Sequence, residues 1–277
     1  MTELRFRSCL HASLTEMATQ AARGFEGYAV PVPADPDALA RQIAAEQIDL
    51  SCSFQALRGH EVVGQTFVAR RGRRLRIASM SVPTADRGRG IGRRMLRHAI
   101  EEGRSRGDAQ VHLEVIRSNA PAVHLYEACG LRRVRALVGF DRPPLGEDAA
   151  PAPLPPYGDV LDLASLVAAD DAYLPWQLQS ATLLGTSAAD VYRLGPALAQ
   201  VTPREDVLHL RALAVPPSGR RRGHGRALVE ALAAAYPRST VRVLAKVPEG
   251  LAEEFMGAVG FVPSELSQWE MACRLDA

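Results

Sequence analysis

The clearest pattern of apolar and polar residues lies in the first half of the chain. An apolar stretch over residues 75–82 predicts a β-strand, and a glycine-rich loop follows it at residues 87–92. Apolar side chains then recur at helical spacing over residues 91–100, which predicts an amphipathic helix. Residues 111–116 alternate between polar and apolar positions and predict a second strand. The predicted order is therefore strand, glycine loop, helix and strand.

Upstream of this segment, the pattern predicts a small set of strands and helices. Residues 4–9 form a short first strand, residues 11–23 and 36–47 form two helices, and residues 54–69 form a hairpin. Asp35 is the predicted N-cap of the second helix. A meander followed by helix-linked strands indicates an α/β fold with a mixed sheet.

The pattern starts again in the second half of the chain. A strand is predicted at residues 208–215, a glycine-rich loop at 220–225, a helix at 227–236 and a further strand at 241–247. The first loop reads Arg-x-x-Gly-x-Gly from residue 87, and the second repeats this motif 133 residues later (220 − 87 = 133). An internal repeat of this length predicts two copies of one fold.

The clearest candidate linker lies between the two copies. Residues 143–156 are rich in proline and show no periodicity, which is typical of an extended connection. We therefore predict an N-terminal domain at residues 1–142, a proline-rich linker at 143–156 and a C-terminal domain at 157–277.

Composition and charge narrow the class of protein. The chain has 277 residues, of which 47% are hydrophobic and 23% are charged, and its formal net charge is +2. This balance gives no global attraction to nucleic acid or to a membrane, although arginines cluster at residues 70–74 and 220–222. No apolar stretch approaches the roughly 18 residues of a membrane helix, and the N-terminus does not resemble a signal peptide. We expect a cytoplasmic protein.

Cysteine spacing argues against two further classes. The four cysteines lie far apart and include no Cys-x-x-Cys pair. This spacing predicts neither a disulfide framework nor a metal site.

The glycine loop at residues 87–92 is the first candidate for chemistry. Glycines let the backbone turn sharply and approach a ligand, and the N–H groups at the start of the next helix favour phosphate. A nucleotide P-loop would close with Lys-Ser or Lys-Thr, but Arg93 and Arg94 follow Gly92. A dinucleotide-binding loop would have a third glycine where Met95 stands. Both of these families are therefore excluded.

A second motif downstream identifies a family that fits. Asn119 is followed by Tyr126-Glu127-x-x-Gly130-Leu131 at the end of the next strand–helix unit. Together with Arg-x-x-Gly-x-Gly on a strand-to-helix turn, this segment resembles the GNAT superfamily of acetyl-CoA-dependent N-acetyltransferases. The resemblance implies two tandem GNAT folds, each with a central mixed β-sheet flanked by helices. It also implies acetyl-CoA as co-substrate and an amine as acceptor, in a monomer or homodimer that binds neither nucleic acid nor membrane.

The resemblance assigns the residues that hold acetyl-CoA. In GNAT enzymes the glycine loop seats the pyrophosphate, and backbone groups of the preceding strand hold the pantetheine arm. In the first copy, these positions are Met80, Val82, Arg87, Gly88, Arg89, Gly90, Ile91, Gly92 and Arg93. The equivalent positions of the second copy are Val215, Arg220, Arg222, Gly223 and Gly225. Asn119 matches the family asparagine that binds the cofactor arm, and it is equally placed to cap a helix before Pro121.

Tyr126 and Glu114 are the candidate catalytic residues of the first copy. A phenol is protonated near neutral pH, so Tyr126 matches the family's general acid for the departing thiolate. The alternative for Tyr126 is a half-buried aromatic residue on a helix. Glu114 shares one strand face with His112 and is the candidate general base, as in the similar acetyltransferases of protein N-termini. The alternatives are that Glu114 faces the surface and that water takes the proton.

The second copy lacks the same chemistry. With Gly130 aligned to Gly260, Met256 stands at the place of Tyr126, Glu249 at that of Asn119 and Leu244 at that of Glu114. We therefore expect a catalytic first copy and a degenerate second copy, whose loop either binds coenzyme A or is kept for folding.

The predicted function is transfer of the acetyl group of acetyl-CoA to a primary amine by direct attack. The acceptor is a small molecule or a peptide N-terminus, and the resemblance puts it near Phe25 and Tyr28, which alternatively anchor a loop to the core. Two other functions remain open. One is a non-catalytic acyl-CoA sensor, and the other is an enzyme similar to mycothiol synthase that uses its C-terminal copy.

Overall fold

The computed structural model describes residues 4–146 and 148–276, and the chain divides into two compact units. Unit 1 comprises Met1–Val134 together with Trp269–Ala277, and unit 2 comprises Arg135–Gln268. Each unit has its own mixed β-sheet with helices packed on it. Residue 147 of the predicted linker and both ends of the predicted domains, at residues 1–3 and 277, lie outside the described residues.

Unit 1 begins with the elements that the sequence predicts. In chain order these are β1 (Leu4–Ser8), α1 (Leu14–Gly24), α2 (Pro36–Glu46), β2 (Phe54–Arg58), β3 (Glu61–Arg71), β4 (Arg74–Ser81), α3 (Ile91–Ser105), β5 (Gln110–Ile116) and α4 (Ala120–Ala128). Asp35 caps α2 as predicted, because its carboxylate accepts hydrogen bonds from the backbone N–H groups of Asp37 and Ala38. β1 to β4 pair antiparallel in sequence order, and β4 pairs parallel with β5.

Unit 2 repeats this order with more elements than the sequence predicts. Its strands and helices are β6 (Arg132–Arg142, which starts in unit 1), α5 (Val160–Ala168), α6 (Ser180–Gly185), β7 (Asp190–Leu194), β8 (Ala197–Arg204), β9 (Val207–Ala214), α7 (His224–Ala235), β10 (Thr240–Pro248), α8 (Glu253–Ala258) and β11 (Val262–Arg274, which ends in unit 1). β7, β8 and β9 pair antiparallel in sequence order, and β9 pairs parallel with β10. β6 pairs antiparallel with β10.

Both units use a final strand that comes from the other half of the sequence. Phe140 of β6 is buried in the hydrophobic core of unit 2. Met271 and Leu275, at the end of the chain, are buried in the hydrophobic core of unit 1. The N–H of Leu275 also donates to the backbone carbonyl of Ala109, beside β5. The compact units therefore differ from the predicted domains. The predicted range 1–142 places all of β6 in the first copy, and the range 157–277 places all of β11 in the second copy.

The predicted linker is attached to unit 2. Residues 143–156 form neither a helix nor a strand where they are described, as expected from their prolines. However, the N–H of Leu145 donates to the carbonyl of Pro237 at 2.8 Å, and the N–H of Ala152 donates to the carbonyl of Ala234 at 2.9 Å. The segment thus packs along the end of α7 and does not behave as a free spacer.

None of the helices in the described residues combines the length and the apolar character that a bilayer crossing requires.

Candidate active site

The glycine loop of unit 1 ends at the N-terminus of α3, and its backbone is left-handed at two positions. Gly88 and Gly90 each have a φ of +75°, which residues with a side chain rarely adopt. Gly90 is the N-cap of α3, and within the described chain no side chain caps this helix end. The first N–H groups of a helix lack partners in the helix, and the positive end of its dipole lies behind them. The loop thus has the backbone that a phosphate site needs.

Gly92 permits a close approach between two helices beside this loop. A Cβ added at Gly92 would lie 3.2 Å from Cδ2 of Leu125 on α4, so a neighbour would have to move. Ile91, the residue before it, is buried in the core of unit 1. At Ile91 and Gly92, a ligand can therefore contact the backbone but no exposed side chain.

The side chain of Arg87 binds the protein's own backbone. Its Nε donates to the carbonyl of Val82 at 3.0 Å, and its Nη2 donates to the carbonyls of Gly24 at 3.1 Å and Glu26 at 3.2 Å. The guanidinium thereby joins the end of β4 to the end of α1. Its predicted contact with pyrophosphate stays a prediction, and the structure gives the side chain a different role as a clamp.

Arg89 and Arg93 are exposed cations of the loop. Nη1 of Arg89 lies 3.6 Å from the carboxylate of Asp86, which is buried beside the loop. Asp86 has a closer partner, because Nη1 of Arg58 donates to it at 2.7 Å. Since Arg58 compensates its charge, Asp86 does not oppose an anionic ligand at the loop.

β4 and β5 pair over only part of their length. Their parallel pairing ends at Ile77 and Leu113. On its other side β4 stays paired with β3 as far as Ser81. The backbone at Met80 and Val82 lies beyond the paired part of β5, where an extended ligand can add like a strand.

Tyr126 lies on α4 and is buried, with 9% of its surface exposed. Burial raises the pKa of its phenol, and the nearby phenol of Tyr28 raises it further. Tyr126 is therefore protonated at neutral pH, as the predicted general acid requires. Because the pKa is raised, loss of this proton requires that the remaining phenolate be stabilised.

Asn119 caps a helix beside the site. Its Oδ1 accepts a hydrogen bond from the N–H of Ala122 at 3.3 Å, so it is the N-cap of α4 that the sequence allowed. Burial raises the pKa of the phenol of Tyr28, in the segment between α1 and α2, and the side chain of Asn119 opposes this rise. A contact between Asn119 and the cofactor arm stays a prediction.

Glu114 is the partner of a buried arginine. The carboxylate accepts hydrogen bonds from Nε and Nη2 of Arg76, the shortest of them 2.6 Å, and only 4% of its side chain is exposed. Nη1 of the same guanidinium donates to Glu46 of α2 at 2.5 Å. The surface-facing alternative for Glu114 is thus wrong, and a base role would require this ion pair to open.

Unit 2 keeps the shape of the site and replaces its chemistry. The N–H of Leu131 donates to the carbonyl of Tyr126, and the N–H of Phe261 donates to that of Met256, which supports the alignment of these two positions. Met256 is buried in the core. The side chain of Leu244, by contrast, is exposed.

The loop of unit 2 repeats the geometry of the first loop. Gly223 caps α7 with a φ of +82°, and Nε of Arg220 donates to the carbonyl of Val215 at 3.1 Å, as Arg87 does to Val82. Arg222 is exposed at the surface. At Gly225 an added Cβ would lie 3.4 Å from the ring of Phe255. The predicted residues of the second loop thus occupy equivalent positions in their unit.

The second loop departs from the first at one backbone position. Arg221 has a φ of +61°, where the first loop has Gly88. A left-handed conformation at a residue with a side chain costs about 1–2 kcal/mol. The chain therefore tolerates local strain to retain this loop in unit 2.

Two site residues were not predicted in their actual roles. Arg76 is a charged residue within an otherwise apolar strand, and it is buried. A charge in such a strand was the feature of the sequence from which its ion pair with Glu114 could have been predicted. Tyr28 was placed on the acceptor side, but its effect on the pKa of Tyr126 and the effect of Asn119 on its own pKa join residues too distant in sequence to foresee.

A family comparison covers the first copy. Residues 15–131 match the model of the acetyltransferase (GNAT) family, and the match includes the glycine loop, Glu114, Asn119 and Tyr126. This segment is therefore similar to the GNAT family, whose members generally use acetyl-CoA. The chain carries this segment in the first of two copies of the fold.

Solved structures of similar proteins cover nearly the whole chain. A GCN5-related N-acetyltransferase from Sphaerobacter thermophilus has a TM-score of 0.66 and 16% identity, over 98% of this chain and 96% of that one. A tandem GNAT protein from the clavulanic acid biosynthesis pathway also has a TM-score of 0.66 and 16% identity, over 99% of each chain. At this identity the likeness shows the fold alone, and it confirms the predicted tandem GNAT fold.

A curated relative matches a shorter segment. Streptothricin acetyltransferase of Streptomyces lavendulae is 45% identical over 68 residues, or 24% of this chain. The match spans 34% of that protein, about a third of its length. This likeness is local.

Proposed function

We propose that the first copy transfers the acetyl group of acetyl-CoA to a primary amine of a small molecule or a peptide N-terminus. The amine attacks the thioester carbonyl directly, without an acyl-enzyme intermediate. The observation that carries this proposal is a pair of features in unit 1. Within the described residues, no side chain caps α3, the helix that follows the glycine loop, and the neighbouring helix α4 carries the buried phenol of Tyr126.

Acetyl-CoA binds along the loop and the free edge of β4 in this proposal. The backbone N–H groups at Gly90, Ile91 and Gly92 bind the pyrophosphate, supported by the charges of Arg89 and Arg93. The backbone at Met80 and Val82 holds the pantetheine arm, because β5 no longer pairs with β4 there. A backbone N–H at the same place stabilises the negative charge that develops on the thioester oxygen.

Tyr126 acts as the general acid. It stands on α4, which faces the glycine loop through the contact between Leu125 and Gly92. As the amine forms its bond to the acetyl carbon and the carbon–sulfur bond breaks, Tyr126 gives its proton to the departing thiolate.

We assign deprotonation of the amine to water. The carboxylate of Glu114 already accepts hydrogen bonds from Nε and Nη2 of Arg76, so it is engaged inside the protein and not free to take a proton from the amine. Glu114 as the base is the alternative, and the two assignments differ in a measurable way described below.

Streptothricin is the first acceptor to test. The curated relative named for its acetylation shares 45% identity with this chain over the matched 68 residues. The match is local, so small amines and peptides with a free N-terminus belong in the same panel.

The proposal is tested by thiol release from acetyl-CoA across this panel, with wild type, Tyr126→Phe and Met256→Leu. We expect Tyr126→Phe to lower kcat by about 10²–10⁴-fold while the KM for acetyl-CoA stays within a factor of two. Met256→Leu is the matched control at the equivalent position of unit 2, and we expect it to keep wild-type turnover.

The other two functions give different results in the same assay. A sensor would bind acetyl-CoA in a calorimeter and release no thiol with any acceptor. An enzyme that uses its second copy would keep turnover in Tyr126→Phe and lose it in Gly225→Glu. Either result would replace the proposed function.

A further inference from the structure

Arg87 is the first residue of the glycine loop of unit 1, and its side chain binds a segment far from it in sequence. Nη2 donates to the carbonyl of Gly24, which lies 63 residues earlier in the chain, and to the carbonyl of Glu26. Nε donates to the carbonyl of Val82 at the end of β4. One guanidinium thus holds the loop, the strand before it and a third segment together.

The carbonyls of this third segment lie at the end of α1. Gly24 is the last residue of α1, and the carbonyls of the last helical turn lack partners within a helix. A cation at this end also interacts favourably with the helix dipole. Arg23, in the same turn of α1, pairs instead with Glu61 at 3.2 Å. Arg87 therefore provides, from the glycine loop, a cation at the end of α1.

The end of α1 packs directly on the end of β4. A Cβ added at Gly24 would lie 2.3 Å from Oγ of Ser81, so no larger residue fits there without movement. Ser81 lies between Met80 and Val82, beyond the part of β4 that pairs with β5. This is the place where the pantetheine arm binds in the proposed function. The chain that follows Gly24 therefore starts beside the reacting thioester.

Residues 24–28, which we call the acceptor-side turn, form a compact structure. The N–H of Tyr28 donates to the carbonyl of Phe25 at 2.9 Å, and the two rings pack edge to face with centroids 5.1 Å apart. Gly27 has a φ of +71°, which residues with a side chain rarely adopt. Because these contacts are local, they determine the shape of the turn, whereas the bonds from Arg87 determine where the turn lies relative to the loop.

Unit 2 shows which of the bonds from Arg87 occur with both loops. Nε of Arg220, the equivalent arginine, donates to the carbonyl of Val215 at 3.1 Å. Among the residues that the structure describes, the side chain of Arg220 makes no second hydrogen bond. The bond to the preceding strand therefore accompanies the loop itself. The additional bonds to a neighbouring turn are found in the unit that carries Tyr126.

We propose that Arg87 is a positioning residue that couples the binding of acetyl-CoA to the acceptor-side turn. When the loop holds the pyrophosphate, its backbone is fixed, and the side chain of Arg87 fixes Gly24 and Glu26 in turn. The amine acceptor then meets a surface that is already formed. By linkage, acetyl-CoA strengthens the binding of the acceptor, and the acceptor strengthens the binding of acetyl-CoA by the same factor.

This inference rests on the proposed function, and it gives Arg87 a role other than the phosphate contact that the resemblance implies. The first test uses coenzyme A as the probe and needs no acceptor. Hydrogen exchange, read by mass spectrometry, measures the opening of the acceptor-side turn. In wild type, we expect coenzyme A to slow exchange in residues 24–28 by about 5–150-fold, the usual range of coupling between sites.

The variant for this test is Arg87→Gln, with Arg23→Gln as the matched control. We expect coenzyme A alone to bind Arg87→Gln in a calorimeter with an affinity close to that of wild type, but no longer to slow exchange in the turn. Arg23→Gln removes the other cation at the end of α1, whose partner is Glu61. We expect coenzyme A to slow exchange in this control as it does in wild type.

The second test is thiol release from acetyl-CoA with the best acceptor of the panel. We expect Arg87→Gln to raise the KM for the acceptor by about 5–150-fold, with kcat at saturation close to that of wild type. Arg87→Lys keeps the charge, but its ammonium cannot span the three carbonyls as a planar guanidinium does. We expect its KM for the acceptor to lie between those of Arg87→Gln and wild type. Circular dichroism checks the fold of each variant.

Three results would overturn the inference and leave the proposed function intact. Coenzyme A could fail to bind a folded Arg87→Gln, which would make Arg87 a phosphate ligand. Coenzyme A could slow exchange equally in Arg87→Gln and wild type, or the KM for the acceptor could stay unchanged. If Arg87→Gln does not fold, Arg87→Lys decides, and wild-type exchange and KM in that variant would overturn the inference. Absence of thiol release with every acceptor, in a wild type that binds coenzyme A, would instead overturn the proposed function.

Discussion

Arg76 and Glu114 form an ion pair inside unit 1, with 3% and 4% of their side chains exposed. Burial lowers the pKa of the Arg76 guanidinium, but the charges of Glu114 and Glu46 outweigh this effect and hold the pKa above its ordinary value. One arginine thus joins β4 to both β5 and α2. The pair raises the question of whether Glu114 serves chemistry or structure.

The first prediction compares Glu114→Gln with Glu46→Gln. If Glu114 mainly compensates Arg76, each variant leaves part of a buried charge without its partner and lowers the free energy of unfolding, by up to about 3–5 kcal/mol. Urea denaturation measures this change. In variants that remain folded, we expect kcat to change with pH in the same way as in wild type.

A different outcome would restore Glu114 as the base. In that case Glu114→Gln would be as stable as wild type and nearly inactive at neutral pH, and its activity would rise at high pH where the free amine is abundant. Glu46→Gln, which shares the same arginine, would keep a normal pH profile.

The second prediction concerns the division of labour between the two loops. A glutamate at Gly92 adds bulk that meets Leu125 and a negative charge that repels phosphate. We expect Gly92→Glu to abolish acetyl transfer. Gly225→Glu makes the same change in unit 2, where Met256 replaces the phenol, and we expect turnover within a factor of two of wild type.

Calorimetry with coenzyme A completes this comparison. Two binding sites in wild type and one in Gly225→Glu would mean that the loop of unit 2 still binds the cofactor. If a folded Gly225→Glu loses turnover and Gly92→Glu retains it, the assignment of catalysis to the first copy is wrong.

The third prediction concerns the pH dependence of stability through His209 of β9. Burial lowers the pKa of His209 to about 4, and the charges of Arg211, Arg242, Arg204 and Lys246 add to the effect. In the unfolded chain a histidine binds a proton below about pH 6.5. Between these values the unfolded state binds a proton that the folded state does not, so stability falls as the pH is lowered from about 6.5 to about 4.

We expect His209→Gln to reduce this loss of stability at acid pH. The measurement is the Tm by calorimetry at several pH values between 7 and 4, with His60→Gln as an exposed control. A pH dependence of Tm in His209→Gln equal to that of wild type would contradict the prediction.

The sequence predicted the parts of the fold that depend on local interactions. The glycine loops and the cap at Asp35 involve residues a few positions apart, so their residue types determine their geometry. Repetition of Arg-x-x-Gly-x-Gly 133 residues later (220 − 87 = 133) was enough to reveal the second copy. By contrast, residues 157–207 contain no such motif, and α5, α6, β7 and β8 were not predicted.

Partners distant in sequence could not be deduced. Arg76 and Glu114 are 38 residues apart, and nothing in either neighbourhood specifies the register of β4 on β5. The same limit applies to Arg87, whose chemistry suits both phosphate and backbone carbonyls. Only the folded chain shows that the carbonyls of Val82, Gly24 and Glu26 receive its hydrogen bonds.

The origin of the last strand of unit 1 has a consequence for protein synthesis. Trp269 leaves the ribosome 135 residues after Val134 (269 − 134 = 135), which takes roughly 10 s at the usual rate of translation. β11 is the neighbour of β5 in the sheet, so during that time this edge of β5 lacks its partner, and an open strand edge favours pairing with other chains. The first copy therefore completes its sheet only after the second copy has been translated.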